Sequence, residues 1–268
     1  MRRMAGVVAV AALTIGAAPA PDWRPLDPEN TLVIETTKGR IVVEMAPLVA
    51  PKAVERVKLL AREHVYDGLQ FHRVLEGFVA QTGNPNNRDG GVSGHPDLPP
   101  EFQFRLPADA VSVVVSRSDG QEGFVGATPV TTVSPGEATR ATDGRLRGWG
   151  AYCPGVAGMG RQADPGTANS EIFFMRAPAR RLDHEYTVWG RVVRGLDVVR
   201  AVAVGEPPKV PDLMLKVRVA ADLPAAERPR IEVMDPAGAA FQAQVAAVKR
   251  AKGAAFTVCD LEPPTRGG

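Results

Sequence analysis

Tyr66-Asp67-Gly68-Leu69-Gln70-Phe71-His72-Arg73-Val74-Leu75-Glu76-Gly77-Phe78-Val79-Ala80-Gln81-Thr82-Gly83 is the stretch on which the reading of this chain turns. Just upstream, Pro51 suits the first turn of a helix. Val54, Val57, Leu60 and Ala61 then share one face at helical spacing, with Lys52, Glu55, Arg56 and Arg62 outside that stripe. Tyr66-Asp67-Gly68 is expected to break the helix. Phe71 to Gln81 is a mixed apolar stretch that ends in the turn Thr82-Gly83-Asn84-Pro85. Further upstream, residues 32–37 and 41–45 read as two strands with Lys38-Gly39 as their hairpin turn.

Downstream, Asn84 to Tyr152 is rich in Gly, Pro, Thr, Ser and Asp, with short apolar runs such as Val111 to Val115. Residues 155–161, 172–175 and 187–193 return to strand-like composition, and 195–204 reads as a turn or short helix. Leu213, Leu215, Val217 and Val219 alternate with Met214, Lys216 and Arg218, the pattern of a half-buried strand. Past Leu223 follow a strand-like 230–234, an Ala-rich helix over 239–252 and a polar end. With 27 Gly and 24 Pro in 268 residues, about a fifth of the chain, a helical bundle is disfavoured.

The charge is nearly balanced, 32 Lys+Arg against 30 Asp+Glu, which argues against a nucleic-acid partner. The four histidines lack metal-site spacing, there is no GxSxG elbow, and the glycines at 155, 158 and 160 lack the order of a phosphate loop. Those glycines read as tight backbone packing. No metal or cofactor is expected.

Met1 to Ala20 has a basic start at Arg2 and Arg3, an apolar run from Met4 to Ala18 and a small-residue end. That is the layout of a secretory signal peptide, too short to span a bilayer as a helix. Cleavage after Ala20 fits the small-x-small rule, whereas Pro21 in the next position opposes it, so the cut site stays open. The expected organisation is a signal peptide over 1–20, a leader over 21–30, a domain over 31–222 with an insert at about 106–152, and an extension over 223–268. Export implies an oxidising compartment, a bacterial periplasm, and no membrane association after cleavage. Cys153 and Cys259 form a disulfide there or remain two separate thiols; spacing does not choose between them.

The quoted stretch resembles the YDGxxFHRV…GFxxQxG signature of cyclophilin-type peptidyl-prolyl isomerases. A second block, Gly158-Met159-Gly160-Arg161 through Asn169-Ser170-Glu171-Ile172-Phe173-Phe174, resembles the family's SMA…SQFF segment. A third, Leu182-Asp183-His184-Glu185-Tyr186-Thr187-Val188-Trp189-Gly190-Arg191-Val192-Val193, resembles LDxxYxVFGxV. The resemblance covers about Thr31 to Asp222, the long segment between the first two blocks excepted. It implies a mainly β fold: a closed, eight-stranded antiparallel barrel capped by two helices, here with a loop-rich insert and a C-terminal tail. The barrel interior would be filled by side chains, leaving the substrate groove on its outer surface.

By the same resemblance the substrate is an unfolded or loop Xaa-Pro polypeptide and the chain acts as a monomer. Arg73 takes the catalytic arginine position and Gln81 bonds the substrate backbone. Phe78, Val79, Phe173, Leu182 and Tyr186 line the proline pocket. Gly160 and Arg161 offer backbone groups, while Phe174 and Trp189 belong to the core. Glu171 stands where the family has glutamine. A carboxylate beside Arg73 is expected to pair with it and blunt the rate, so Glu171→Gln should raise activity. Arg181 replaces a tryptophan that contacts cyclosporin in many members, and Tyr186 replaces a histidine. The insert forms either a lobe that narrows substrate choice or a neutral elaboration. Two other readings compete with the enzyme: a catalytically weakened binding module of this fold, and a scaffold for a fixed partner.

Overall fold

The computed structural model describes residues 21–88, 90–140 and 143–268; the signal peptide expected over 1–20 lies outside them. In chain order the first strands are β1 (Trp23–Pro25), β2 (Thr31–Thr36), β3 (Gly39–Met45), β4 (Arg73–Val74) and β5 (Val79–Thr82). Next come β6 (Phe104–Leu106), β7 (Ser112–Ser116), β8 (Gly120–Val125), β9 (Thr128–Val133) and β10 (Leu146–Gly150). The last are β11 (Val156–Met159), β12 (Ile172–Met175), β13 (Val188–Arg194), β14 (Met214–Val219), β15 (Ile231–Met234) and β16 (Thr265–Gly267). The helices are α1 (Pro51–Arg62), α2 (Pro135–Ala138), α3 (Leu196–Ala201) and α4 (Ala239–Lys252).

The hairpin β2–β3 pairs Thr36 with Gly39, so its turn is Thr37-Lys38, one residue earlier than the composition suggested. Gly39 there takes φ +132°, a value open to glycine. Helix α1 carries Pro51 at its start and buries Ala53, Val54, Val57, Leu60 and Ala61. No neighbouring side chain caps it. The carboxylate of distant Glu101 does so instead, accepting from the Lys52 and Ala53 N–H groups at 3.0 and 2.9 Å. The helix stops at Arg62, with His64 at φ 59°, four residues before the expected Tyr66-Asp67-Gly68. That triplet has another task. Tyr66 is fully buried and donates to the Ser170 carbonyl at 3.1 Å. Asp67 accepts from the Val217 N–H and from Arg218, both at 2.8 Å, fastening the helix exit to β14. Gly68 takes φ 76°.

The main sheet has eight strands in the order β14-β2-β3-β13-β11-β12-β5-β4, antiparallel throughout. The expected closed barrel is instead a curled sheet with an open ladder. Its end strands, β4 and β14, do not pair as strands, and the isolated bridge Gln70↔Leu213 spans the gap beside them. Strand β4 has only two residues, too few to complete a ladder. The inner core holds Leu32, Ile34, Ile41, Val43, Phe174 and Trp189 under α1 and α3.

The insert is not loop-rich. It forms a five-stranded antiparallel sheet in the order β6-β10-β9-β8-β7. The tail is also ordered: β15 pairs with β16 on one side and with the leader strand β1 on the other. Helix α4 sends Phe241 against Phe124 of β8 edge-on, ring centroids 5.6 Å apart. These parts share a second core with the outer face of the main sheet, including Val156, Phe173, Val188 and Tyr152. A disulfide joins Cys153 to Cys259 within it.

Candidate active site

Residues alternate faces along a strand, so neighbours in register share a face. In the ladder, Arg73 pairs with Gln81, Gln81 with Phe173 and Phe173 with Gly158. The intervening row, Val74, Ala80, Phe174 and Ala157, belongs to the inner core. Arg73, Gln81, Phe173 and Gly158 therefore form one row across four strands on the outer face. Gly158 is required there: a Cβ would collide with the Phe173 ring.

Three members of this row, Arg73, Gln81 and Phe173, face a cavity of about 400 Å³. Arg73, Phe78, Val79, Gln81, Gly160, Arg161, Glu171, Phe173, Leu182 and Tyr186 all line it. Gln162, which the motifs did not single out, lines it as well. Phe173 stacks on Tyr152 and meets Tyr186 edge-on, both at 5.8 Å between centroids. Phe174 and Trp189 stay in the inner core, fully buried.

The polar side differs from expectation. The Arg73 guanidinium donates from Nε to Glu206 at 2.6 Å and from Nη1 to Gln81 Oε1 at 3.0 Å. The Glu171 carboxylate accepts from the side-chain amides of Gln81 and Asn84, with His72 Nε2 at 3.9 Å. A carboxylate only accepts, so it orients the Gln81 amide with NH₂ toward Glu171 and the carbonyl toward Arg73. Glu206 lies far from the three motif blocks in sequence, and nothing local signalled its contact.

Gly160 uses its N–H on the Glu171 carbonyl at 2.8 Å, so of its backbone groups the carbonyl remains to meet a ligand. Arg161 contributes more than backbone. Its guanidinium lies over the Tyr186 ring at 4.4 Å and its Nε donates to the Glu185 carbonyl at 3.0 Å. Arg181 covers the Phe78 ring in the same way, at 4.5 Å. Among the described residues no group of three or more His, Cys, Asp or Glu is arranged to hold a metal ion.

Residues 31–219 match the family model described as cyclophilin type peptidyl-prolyl cis-trans isomerase/CLD. A probable peptidyl-prolyl cis-trans isomerase of Brucella suis biovar 1 is 32% identical over 238 residues, covering 83% of this chain and 97% of its own length. A Schizosaccharomyces pombe peptidyl-prolyl cis-trans isomerase is 29% identical over 172 residues, 64% of this chain and 83% of its own. The crystal structure of cyclophilin AquaCyp293 from Hirschia baltica superposes with a TM-score of 0.84 at 33% identity, covering 91% of this chain and 92% of that one. That coverage is wider than the span 31–219 that the family model matches. The chain belongs to the cyclophilin-type peptidyl-prolyl cis-trans isomerases.

Proposed function

We propose that this isomerase twists Xaa-Pro bonds in the outer groove, with Arg73 as the group that stabilises the twisted amide. Rotation about such a bond meets a barrier of roughly 18–20 kcal/mol because it breaks amide resonance. Catalysis then needs no nucleophile or metal, only tighter binding of the twisted form than of either planar one. As the bond twists, the prolyl nitrogen regains a lone pair, and a guanidinium N–H can donate to it. Two of the five Arg73 N–H groups are taken by Glu206 and Gln81. The rest are free of those bonds. Phe173, Leu182, Tyr186, Val79 and Phe78 supply the apolar socket for the ring. Gln81 and the backbone of Gly160 and Arg161 hold the flanking peptide.

The single observation that carries this reading is the aligned outer row of Arg73, Gln81 and Phe173 opening into a cavity with both polar and apolar walls. The test is isomerisation of an Xaa-Pro peptide by wild type and Arg73→Ala. Removing the donor is expected to lower kcat by about a hundredfold; equal rates reject the assignment. A weaker catalyst that mainly binds is the second reading, favoured by the Arg73–Glu206 ion pair.

We also infer that the clients are exported polypeptides and that the enzyme works as a monomer outside the cytoplasm. The basic-apolar-small layout of residues 1–20 supports export, and the Cys153–Cys259 disulfide suits an oxidising compartment. Cell fractionation checks this: protein outside the inner membrane should begin near Pro21, and full-length protein confined to the cytosol contradicts it.

A further inference from the structure

We propose that Arg180 and Glu122 are positioning residues for the proline pocket, an ion-pair node through which the insert and the C-terminal extension hold the loop 179–186 in place. The proposal rests on the groove being the substrate site. That loop supplies Leu182 and Tyr186 to the cavity and lays Arg181 on Phe78, so most of one groove wall moves with it.

The loop has little regular structure of its own, a single 3₁₀ turn at Arg180–Leu182. Its footing lies elsewhere. Arg180 Nη1 donates to Glu122 Oε1 of β8 at 2.8 Å, and Nη2 donates to the Thr131 hydroxyl of β9 at 2.9 Å. Its Nε returns to Asp183 Oδ2 in the same loop at 2.7 Å. One guanidinium fork thus spans two insert strands and the loop, a geometry a lysine ammonium cannot reproduce. Glu122 is buried, and its second oxygen accepts the Val258 N–H at 3.0 Å. Val258 precedes Cys259, the extension's half of the disulfide to Cys153. Asp183 Oδ1 accepts the N–H of Tyr152, the residue before Cys153, at 2.9 Å. Loop, insert and extension are therefore closed into one polar circuit. Trp149 of β10 stacks on His184 at 3.9 Å between centroids and braces the loop from the same side.

Partial burial raises the Asp183 carboxyl above its ordinary value even with Arg180 beside it. Breaking the fork leaves the buried Glu122 with the Val258 N–H and a longer 3.7 Å contact to Arg117 in place of the 2.8 Å pair, so the loop should shift. Arg73 and Gln81 stand on other strands and keep their places. The pocket then loses fit while the chemistry stays intact.

Saturation kinetics on one Xaa-Pro peptide test this, at a temperature where every variant is folded. Arg180→Lys and Glu122→Gln should raise KM about tenfold with kcat within about twofold of wild type. Thr131→Val removes one arm of the fork and should raise KM about twofold. Arg105→Gln breaks an exposed pair with Asp143 on the same sheet and should change neither parameter. An unchanged KM in folded Arg180→Lys and Glu122→Gln overturns the proposal. So does a loss of activity that only tracks the unfolded fraction. Arg73→Ala run alongside separates the failures. If it matches wild type, the groove reading falls and takes the node with it. If it is impaired while Arg180→Lys keeps the wild-type KM, only the node falls.

Discussion

On one side of the groove, Arg73, Gln81 and Phe173 stand in register on neighbouring strands of one sheet. On the other, Leu182 and Tyr186 hang from a loop whose anchors lie in a second sheet and in the C-terminal extension. The first wall is fixed by a backbone ladder, and changing one side chain leaves its neighbours in place. The second is fixed by side chains from three separate parts of the chain, so it inherits the stability of all of them. On the proposed reading the sheet side carries the amide-stabilising donor Arg73, and the fit of the pocket is divided between the sheet's Val79 and Phe173 and the loop's Leu182 and Tyr186.

Core substitutions on the two sides sharpen that contrast most. Phe174→Ala in the inner core and Phe124→Ala in the outer core should each cost about 3–5 kcal/mol in urea unfolding. Phe124→Ala should in addition raise KM, because its layer carries the loop. A cost under about 1 kcal/mol at Phe124 would mean that the outer layer is not part of one folded unit. Next is the disulfide, which closes a loop of 106 residues. Cys259→Ser should cost about 2–4 kcal/mol by the same measurement, with KM rising and kcat kept.

A third test uses the Asp67 staple to β14, on the sheet side. Burial alone would raise the Asp67 carboxyl, but the bonds from Arg218 and the Val217 N–H outweigh it and hold the group below its ordinary value. Its stabilisation is therefore present above the ordinary carboxylate range, near pH 4, and is lost as pH falls through the lowered folded value. The urea midpoint of wild type should fall more steeply on acidification than that of Asp67→Asn. Parallel curves contradict the staple. At neutral pH the substitution should cost about 1–2 kcal/mol and leave KM alone. The smallest effect concerns Glu206. Its pair with Arg73 is half exposed, and such pairs contribute roughly 0–1 kcal/mol. Glu206→Gln should therefore raise kcat/KM by no more than about fivefold. It should exceed Glu171→Gln, since Glu206 bonds Arg73 directly and Glu171 bonds the amide of Gln81, which in turn accepts from Arg73.

The sheet side was legible in the sequence because its residues are contiguous. Tyr66 to Gly83 holds helix exit, strand, turn and strand in one run, and the blocks at Gly158–Phe174 and Leu182–Val193 give the partners. In the outer layer the tail's strand at 231–234 and helix at 239–252 were legible too, but the sheet of the insert was not. Gly120, Gly123 and Gly148 lie inside strands, where they read as loop residues. In the structure they allow close approach: a Cβ on Gly148 would run into the Phe104 ring, and one on Gly123 into the Ser112 carbonyl. The apolar run Val111 to Val115 was visible, yet short strands with distant partners give no local signal of pairing. The leader strand β1 joins the sheet only because β15, some two hundred residues later, offers it an edge. The pairing of Arg73 with Glu206 was hidden for the same reason, as it depends on where the loop after α3 returns.

The central claim is that chemistry and fit are separable across the groove. Full saturation curves of wild type, Arg73→Ala and Arg180→Lys on one Xaa-Pro peptide test it most directly. The account predicts a loss of about a hundredfold in kcat for the first variant and about a tenfold rise in KM for the second. The same kinetic parameter changing in both variants would contradict it.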